Sequence, residues 1–281
     1  MRRVDWSGWL KSKWNRSKSS LTRRRLAADL SRRSRSRDLA LSAEFLERRE
    51  LLAAVTWDAG GDGVHWSDAN NWSSDVLPGA ADDVTINFGS GTVQHDTGTD
   101  TVNSLTTTNK LLLSGGTLAI NGPSAINNGF TLSGGTLSGT GVVTCSGTLN
   151  WTSGTMSGTG TTTIASGAIL NIDGGGGLRI DQRTLNNAGT VNLNDAYYLD
   201  FRYGSVFNNQ AGALFDLKSD TYWYGNQDGE AVFNNAGTFR KSGGTGSTNL
   251  EMAFNNSGSV DVQSGTLSFS RGGTSGPPTL K

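Results

Sequence analysis

One stretch gathers residues able to do acid–base work: Asp173, Asp181, Asp195 and Asp200, with Arg179, Arg183 and Arg202 among them. Enzymes that cleave glycans need paired carboxylates or a basic catalyst on one face, and these side chains could share a groove. Four acids between positions 173 and 200 suit a solvated β face equally well. Histidine offers less. The chain has two, His65 and His95, both in turn-rich stretches. No GxSxG, HExxH, CxxC or phosphate-loop pattern occurs. Gly174-Gly175-Gly176-Gly177 is no dinucleotide fingerprint, because no helix is expected after it. The expectation is a protein without catalysis and without a resident cofactor.

Binding chemistry is better supplied. Trp57, Trp66 and Trp72 fall close together, and Tyr197, Tyr198, Tyr203, Tyr222, Trp223 and Tyr224 fall within two aromatic, charged segments, 195–203 and 218–230. Either set could stack on sugar rings, with Asp and Asn as polar partners. Both sets could equally be structural, as a Trp plug and as staples on a flank. Asp58, Asp62, Asp68, Asp82 and Asp83 supply hard oxygen ligands, so calcium is the one ion this block could take. Gly60-Gly61-Asp62-Gly63 starts like a calcium-binding nonapeptide, but His65 stands where its Asp belongs.

Internal repeats supply the elements that would position these groups. Ser114-Gly115-Gly116-Thr117-Leu118 recurs as Ser133-Gly134-Gly135-Thr136-Leu137 and, in variant form, as Ser153-Gly154-Thr155-Met156, so Leu118, Leu137 and Met156 follow at equal intervals of 19. A second set reads Leu185-Asn186-Asn187-Ala188-Gly189, Phe233-Asn234-Asn235-Ala236-Gly237 and Phe254-Asn255-Asn256-Ser257-Gly258. Phe207-Asn208-Asn209-Gln210-Ala211-Gly212 carries one extra residue, and Ile126-Asn127-Asn128-Gly129 is an early relative. The intervals from 185 to 207, 233 and 254 are 22, 26 and 21.

Between these marks every second residue is apolar, as in Val260-Asp261-Val262 and Leu267-Ser268-Phe269, which predicts short strands with one buried face. Asn and Gly tolerate left-handed φ, which predicts turns at the Asn-Asn-x-Gly marks. A period near 20 predicts an all-β, right-handed parallel β-helix of about nine rungs, with Asn side chains bonding up the stack. A β-sandwich or antiparallel barrel would also show short strands and frequent turns. The like-on-like spacing argues against both. The longest interval, 26, contains 218–230, and extra residues in a coil form a loop on one face.

Composition agrees. Gly is 39 of 281 residues and charged residues are 17%, which disfavours a packed helical enzyme. No apolar run is long enough to cross a membrane as a helix. One cysteine, Cys145, allows no disulfide within the chain. The net charge of zero hides an asymmetry. Residues 1–54 hold 15 basic and 6 acidic side chains, and residues 55–281 hold 9 and 18. Residues 1–37 thus read as a disordered basic tail or a targeting segment. Nucleic acid is not an expected partner, because the remainder is acidic and no nucleic-acid motif follows. Residues 38–54 read as a short amphipathic helix with Asp38 as its N-cap.

Within that helix, Leu46-Glu47-Arg48-Arg49-Glu50-Leu51-Leu52-Ala53-Ala54 resembles the LEPR-XLL motif near the N-terminus of large exported proteins of planctomycete-type bacteria. Leu46, Glu47, Arg49, Leu51, Leu52, Ala53 and Ala54 fit the motif, and Arg48 replaces its Pro. The block at 55–88, with its Trp, Gly-Gly, Asn-Trp and Pro-Gly marks, is similar to segments that open β-solenoid adhesins and autotransporter-like regions. The resemblance implies export to the cell surface and a cap at 55–88; the repeats themselves read as running over 89–270, with a flexible end at 271–281. It implies a non-enzymatic scaffold contacting polysaccharide or another envelope surface; a polysaccharide lyase or hydrolase, or a passive envelope protein, are the alternatives. Gly276–Lys281 ends soon after a repeat without an anchor, so the chain reads as part of a longer open reading frame.

Overall fold

The structure, a computed structural model, describes residues 54–175, 177–227, 230–274 and 279–280. The expected basic tail at 1–37, the helix, and the motif from Leu46 through Ala53 lie outside these residues. Ala54 is described, and it opens the strand Ala54–Thr56 rather than closing a helix.

Among the described residues the chain is a parallel β-solenoid of about nine turns. Short alternating runs form strands, and each strand pairs in parallel with strands of the coils before and after it. Three columns result. The first runs from Ala54–Thr56 and Asp83–Ile86 to Val232–Asn235 and the end of Ser247–Asn256. The second starts at Thr92–His95 and the third at Thr99–Val102. Gly129–Ser138, Thr148–Met156 and Ser247–Asn256 are long because each turns a corner and serves two columns.

Register equals repeat length here, since stacked coils place like above like. Thr56, Thr85, Thr106, Ala125, Thr144, Thr163, Asn186, Asn208, Asn234 and Asn255 follow one another in the first column. The first step, from Thr56 to Thr85, is the longest and contains the Trp block. Asp83–Ile86 and Ala54–Thr56 already belong to the column, so the expected boundary at residue 89 is not a structural one. At the far end Arg271 still closes the strand Thr266–Arg271, and Thr279–Leu280 pairs with Ser259 and Val260.

Inward residues form one continuous core, from Val55 and Trp66 to Met252 and Phe254. Full burial of one such side chain contributes about 1.5–3 kcal/mol. The Asn-Asn-x-Gly marks stack as expected, but for a different reason than left-handed φ. Neither Asn adopts positive φ; both sit at strand ends, as in Thr184–Asn187 and Val206–Asn209. The first Asn faces outward and the second inward. In the inward column Asn187, Asn209 and Asn235 are buried and linked: Asn187 Nδ2 donates to Asn209 Oδ1 at 2.9 Å, Asn209 to Asn235 at 2.8 Å, and Asn235 to the half-buried Asn256 at 2.7 Å. The second amide hydrogen reaches a backbone carbonyl across the corner, at Leu214, Thr238 or Ser259. Every buried amide donor of this column is thereby paired, as burial requires.

The outward Asn column runs the other way. Asn208 donates back to Asn186, Asn234 to Asn208, and Asn255 to Asn234, at 2.8, 2.8 and 2.9 Å. The glycines differ by position. A Cβ on Gly237 would run into the carbonyl oxygen of Ala213, so close stacking demands glycine there. At Gly212, after the extra residue, space is open and φ is +83°, so conformation demands it. Ile126 is not aligned with Leu185: its column continues through Cys145 and Ile164 to Asn187. The shift is by an even number of positions, which preserves the inward parity.

Candidate functional site

In the third column, Leu178–Asp181, Tyr198–Arg202, Tyr222–Gln227 and Ser247–Asn256 lie side by side. Leu178, Ile180, Leu199, Phe201, Trp223, Leu250 and Met252 point inward and are buried. Period two turns Arg179, Asp181, Tyr198, Asp200, Arg202, Tyr222, Tyr224, Asn249 and Glu251 to the opposite side. In earlier coils that row is threonine: Thr99, Thr117, Thr136 and Thr155 stack below Arg179.

Register sets Arg179 beside Asp200 and Asp181 beside Arg202, a two-by-two square of alternating charge. Arg179 Nε and Arg202 Nε both donate to Asp200 Oδ2, at 3.3 and 2.7 Å. Asp200 is nearly buried beneath them. The Asp200 hydrogen bond raises the pKa of Arg202. Asp181 moves the other way from a paired acid: burial pushes its carboxyl up, opposed by Arg179 and Arg202. Its Oδ1 has no hydrogen-bond partner among the described residues.

The tyrosines adjoin this square. Tyr197 is 77% exposed at the corner before Tyr198. Ring centroids lie 6.0 Å apart for Tyr197 and Tyr198, 5.8 Å for Tyr198 and Tyr224, and 4.5 Å for Tyr222 and Tyr224. The Tyr222 hydroxyl donates to Glu251, which raises the tyrosine pKa. Glu251 and Asn249 do not stand out in the sequence by type. A signal for them is present nonetheless, because inward Thr248, Leu250 and Met252 imply outward 249 and 251.

Other expected site residues go elsewhere. Trp223 is fully buried against Phe201 and Phe215 and offers no ring to a ligand. Trp57, Trp66 and Trp72 are 3%, 1% and 0% exposed, so they do not form a sugar-stacking surface. Their rings pack edge-on at 4.7–4.8 Å and join the core of the first coil. The block is tied down by Trp66 N donating to Gln94 O and Gln94 N donating to Val64 O, both at 2.8 Å. Arg183 is buried and faces no groove; it bonds Thr162 Oγ1 and Ser157 O, each at 2.8 Å. Asp173 and Asp195 are in register with each other near the ends of the second-column strands Ile169–Gly174 and Thr190–Ala196.

The carboxylates expected to suit calcium serve as local acceptors. Asp58 accepts from Gly60 N, Asp82 from Gly79 N, and Asp83 from Asn103 and Ser104. Asp68 accepts from Asp62 N and Asn70 N. Asp62 accepts from Val64 N, His65 N and Asn71 Nδ2, and these bonds hold its pKa far below the usual range. Among the described residues no group of three or more His, Cys, Asp or Glu side chains converges as metal ligands do.

Both histidines lie where the Trp block meets the first coil. His65 Nδ1 is 2.6 Å from Asp62 Oδ2, and its Nε2 is 3.7 Å from Asp96 Oδ2. The Asp62 hydrogen bond raises the pKa of His65. His95 is buried beside Trp66, with Nδ1 3.0 Å from Gly115 O and Nε2 2.9 Å from Asp100 Oδ2. Among the described residues no helix is long and apolar enough to cross a membrane. No protein-family model matches the chain, and comparisons with curated proteins and with solved structures return no match.

Proposed function

We propose that this solenoid is a non-enzymatic, exported, adhesin-like scaffold at the cell surface that contacts polysaccharide through its third-column tyrosine face. One observation carries the reading. Tyr197, Tyr198, Tyr222 and Tyr224 cluster outside the core beside hydrogen-bonding acids and guanidinium groups. Aromatic rings pack on the C–H faces of sugars while polar neighbours take up hydroxyls. The resemblance at 46–54 supports the address. The test is a glycan array probed with the full chain and with Tyr197→Ala. Retention lost in the variant supports the reading. A folded protein retained on no glycan leaves the passive envelope scaffold.

A second reading has its own observation. Asp181, pushed up by burial and lacking a partner at Oδ1, is what a general acid needs, with Asp200 as the nearby carboxylate. Asp200 itself is committed to two guanidinium groups, which suits a structural role better. Release of reducing ends from a polysaccharide by wild type, lost in Asp181→Asn, would replace the scaffold by a hydrolase.

A further inference from the structure

We infer that the tyrosine face takes a single soluble strand of uncharged polysaccharide and rejects polyanionic and crystalline ones. The inference rests on the polysaccharide reading above and adds the class of polymer.

Charge is the first argument. The face carries Asp181, Asp200 and Glu251 against Arg179 and Arg202. Asp173 and Asp195 extend the acidic side toward the corner where Tyr197 stands. Both guanidinium groups donate through Nε to the same Asp200 oxygen, so three carboxylates stand against two cations. A uronate or sulfate group would therefore meet net negative charge. The wider surface agrees, with 9 basic and 18 acidic residues over 55–281. Like charges across an interface discriminate against a ligand and slow its approach.

Hydrogen-bond chemistry is the second. Glu251 stands outward beside Tyr222 and Tyr224, and a carboxylate accepts hydrogen bonds. Sugar hydroxyls donate, whereas carboxylates and sulfates only accept.

Topography is the third. Neighbouring rings meet at 76° for Tyr197 and Tyr198 and at 80° for Tyr198 and Tyr224, and Tyr222 tilts 47° from Tyr224. Such rings cannot lie flat on one plane, as a crystalline polymer surface would require. They wall a ridge against which a flexible strand can turn successive faces.

The test is affinity electrophoresis of the full chain in gels holding soluble xylan, soluble β-glucan, polygalacturonate or a sulfated glycan, with a pull-down on crystalline cellulose alongside. The expected result is retardation by an uncharged soluble polymer that added salt leaves unchanged. Tyr197→Ala and Tyr224→Ala then weaken it about tenfold or more, and Asp195→Lys gains retardation by polygalacturonate. Stronger retardation of wild type by a polyanion, fading as salt rises, overturns the inference while leaving the polysaccharide reading in place. Binding to the crystalline polymer alone does the same. Retention by none of the polymers, from protein shown folded by circular dichroism, removes the polysaccharide reading and this inference with it.

Discussion

From Thr106 to Thr163 the coils are short and equal in length, and their interior is mostly Leu, Ile and Val, with Phe130 and Trp151 as its two aromatic residues. From Asn186 to Asn255 the coils are longer, stepping by 22, 26 and 21, and the interior holds Phe207, Phe215, Trp223, Phe233, Phe239 and Phe254. A longer coil encloses more cross-section, and close packing requires bulkier side chains to fill it. The buried first-column position changes in the same place. Ile126, Cys145 and Ile164 are followed by Asn187, Asn209 and Asn235. The wide coils thus add a polar seam that ties a strand end to the carbonyl beginning the next column. The outer surface changes too, from threonine rows to the tyrosine and charge face.

The comparison breaks most visibly in the core. Phe233 lies 4.8 Å from Phe207 and 5.4 Å from Phe254, both stacked. Phe233→Ala should cost about 3–5 kcal/mol in urea denaturation. The paired experiment uses size swaps: Leu132→Phe should overfill a narrow coil by about 1–3 kcal/mol, and Phe233→Leu should cost less than Phe233→Ala. A stabilised Leu132→Phe protein would show that coil length does not set core volume.

The polar seam comes next. Asn209→Leu orphans its partners in the coils on either side and should cost about 1–3 kcal/mol. Ile164→Asn, beside the start of the seam, should be less damaging than Ile126→Asn, whose column neighbours are Thr107 and Cys145. Equal melting temperatures for the two variants would contradict a seam that extends by contact.

A smaller effect separates the Trp block from both halves. His65 has a raised folded pKa, so its contribution is fully present below the unfolded value near 6.5 and is lost as pH rises through the raised value. Asp62 is shifted oppositely, and its contribution is lost only as pH falls below the usual carboxylate range. The melting temperature of wild type minus that of His65→Gln should therefore shrink from about pH 5 to about pH 8. A difference that grows over that interval would contradict the assignment. The smallest change in stability belongs to the exposed face: Tyr197→Ala should stay within about 0.5 kcal/mol of wild type.

Much of this fold is legible in the sequence because a parallel stack converts spacing directly into register. The equal intervals between Leu118, Leu137 and Met156, and the unequal ones at the Asn marks, are the strand pairings themselves. The Trp block has no period, so nothing in it signals which side each indole faces. Its burial depends on Val64 and Trp66 pairing with Gln94, a contact between segments distant in the chain. Trp223 is a different case, since alternation in Tyr222-Trp223-Tyr224 already turns the middle ring inward. Arg183 reads as exposed because a charged residue ordinarily is. Here carbonyl oxygens at Ser157 and Gly139, one and two coils down, take the place of water.

The opposed directions of the two asparagine columns have an electrostatic consequence. A file of carboxamides all pointing one way sums its dipoles end to end, as peptide groups do in a helix. With the buried file donating toward the C-terminus and the outer file toward the N-terminus, the two sums oppose each other along the stack axis. Each added coil then lengthens both files of this pair without adding a net dipole from the pair.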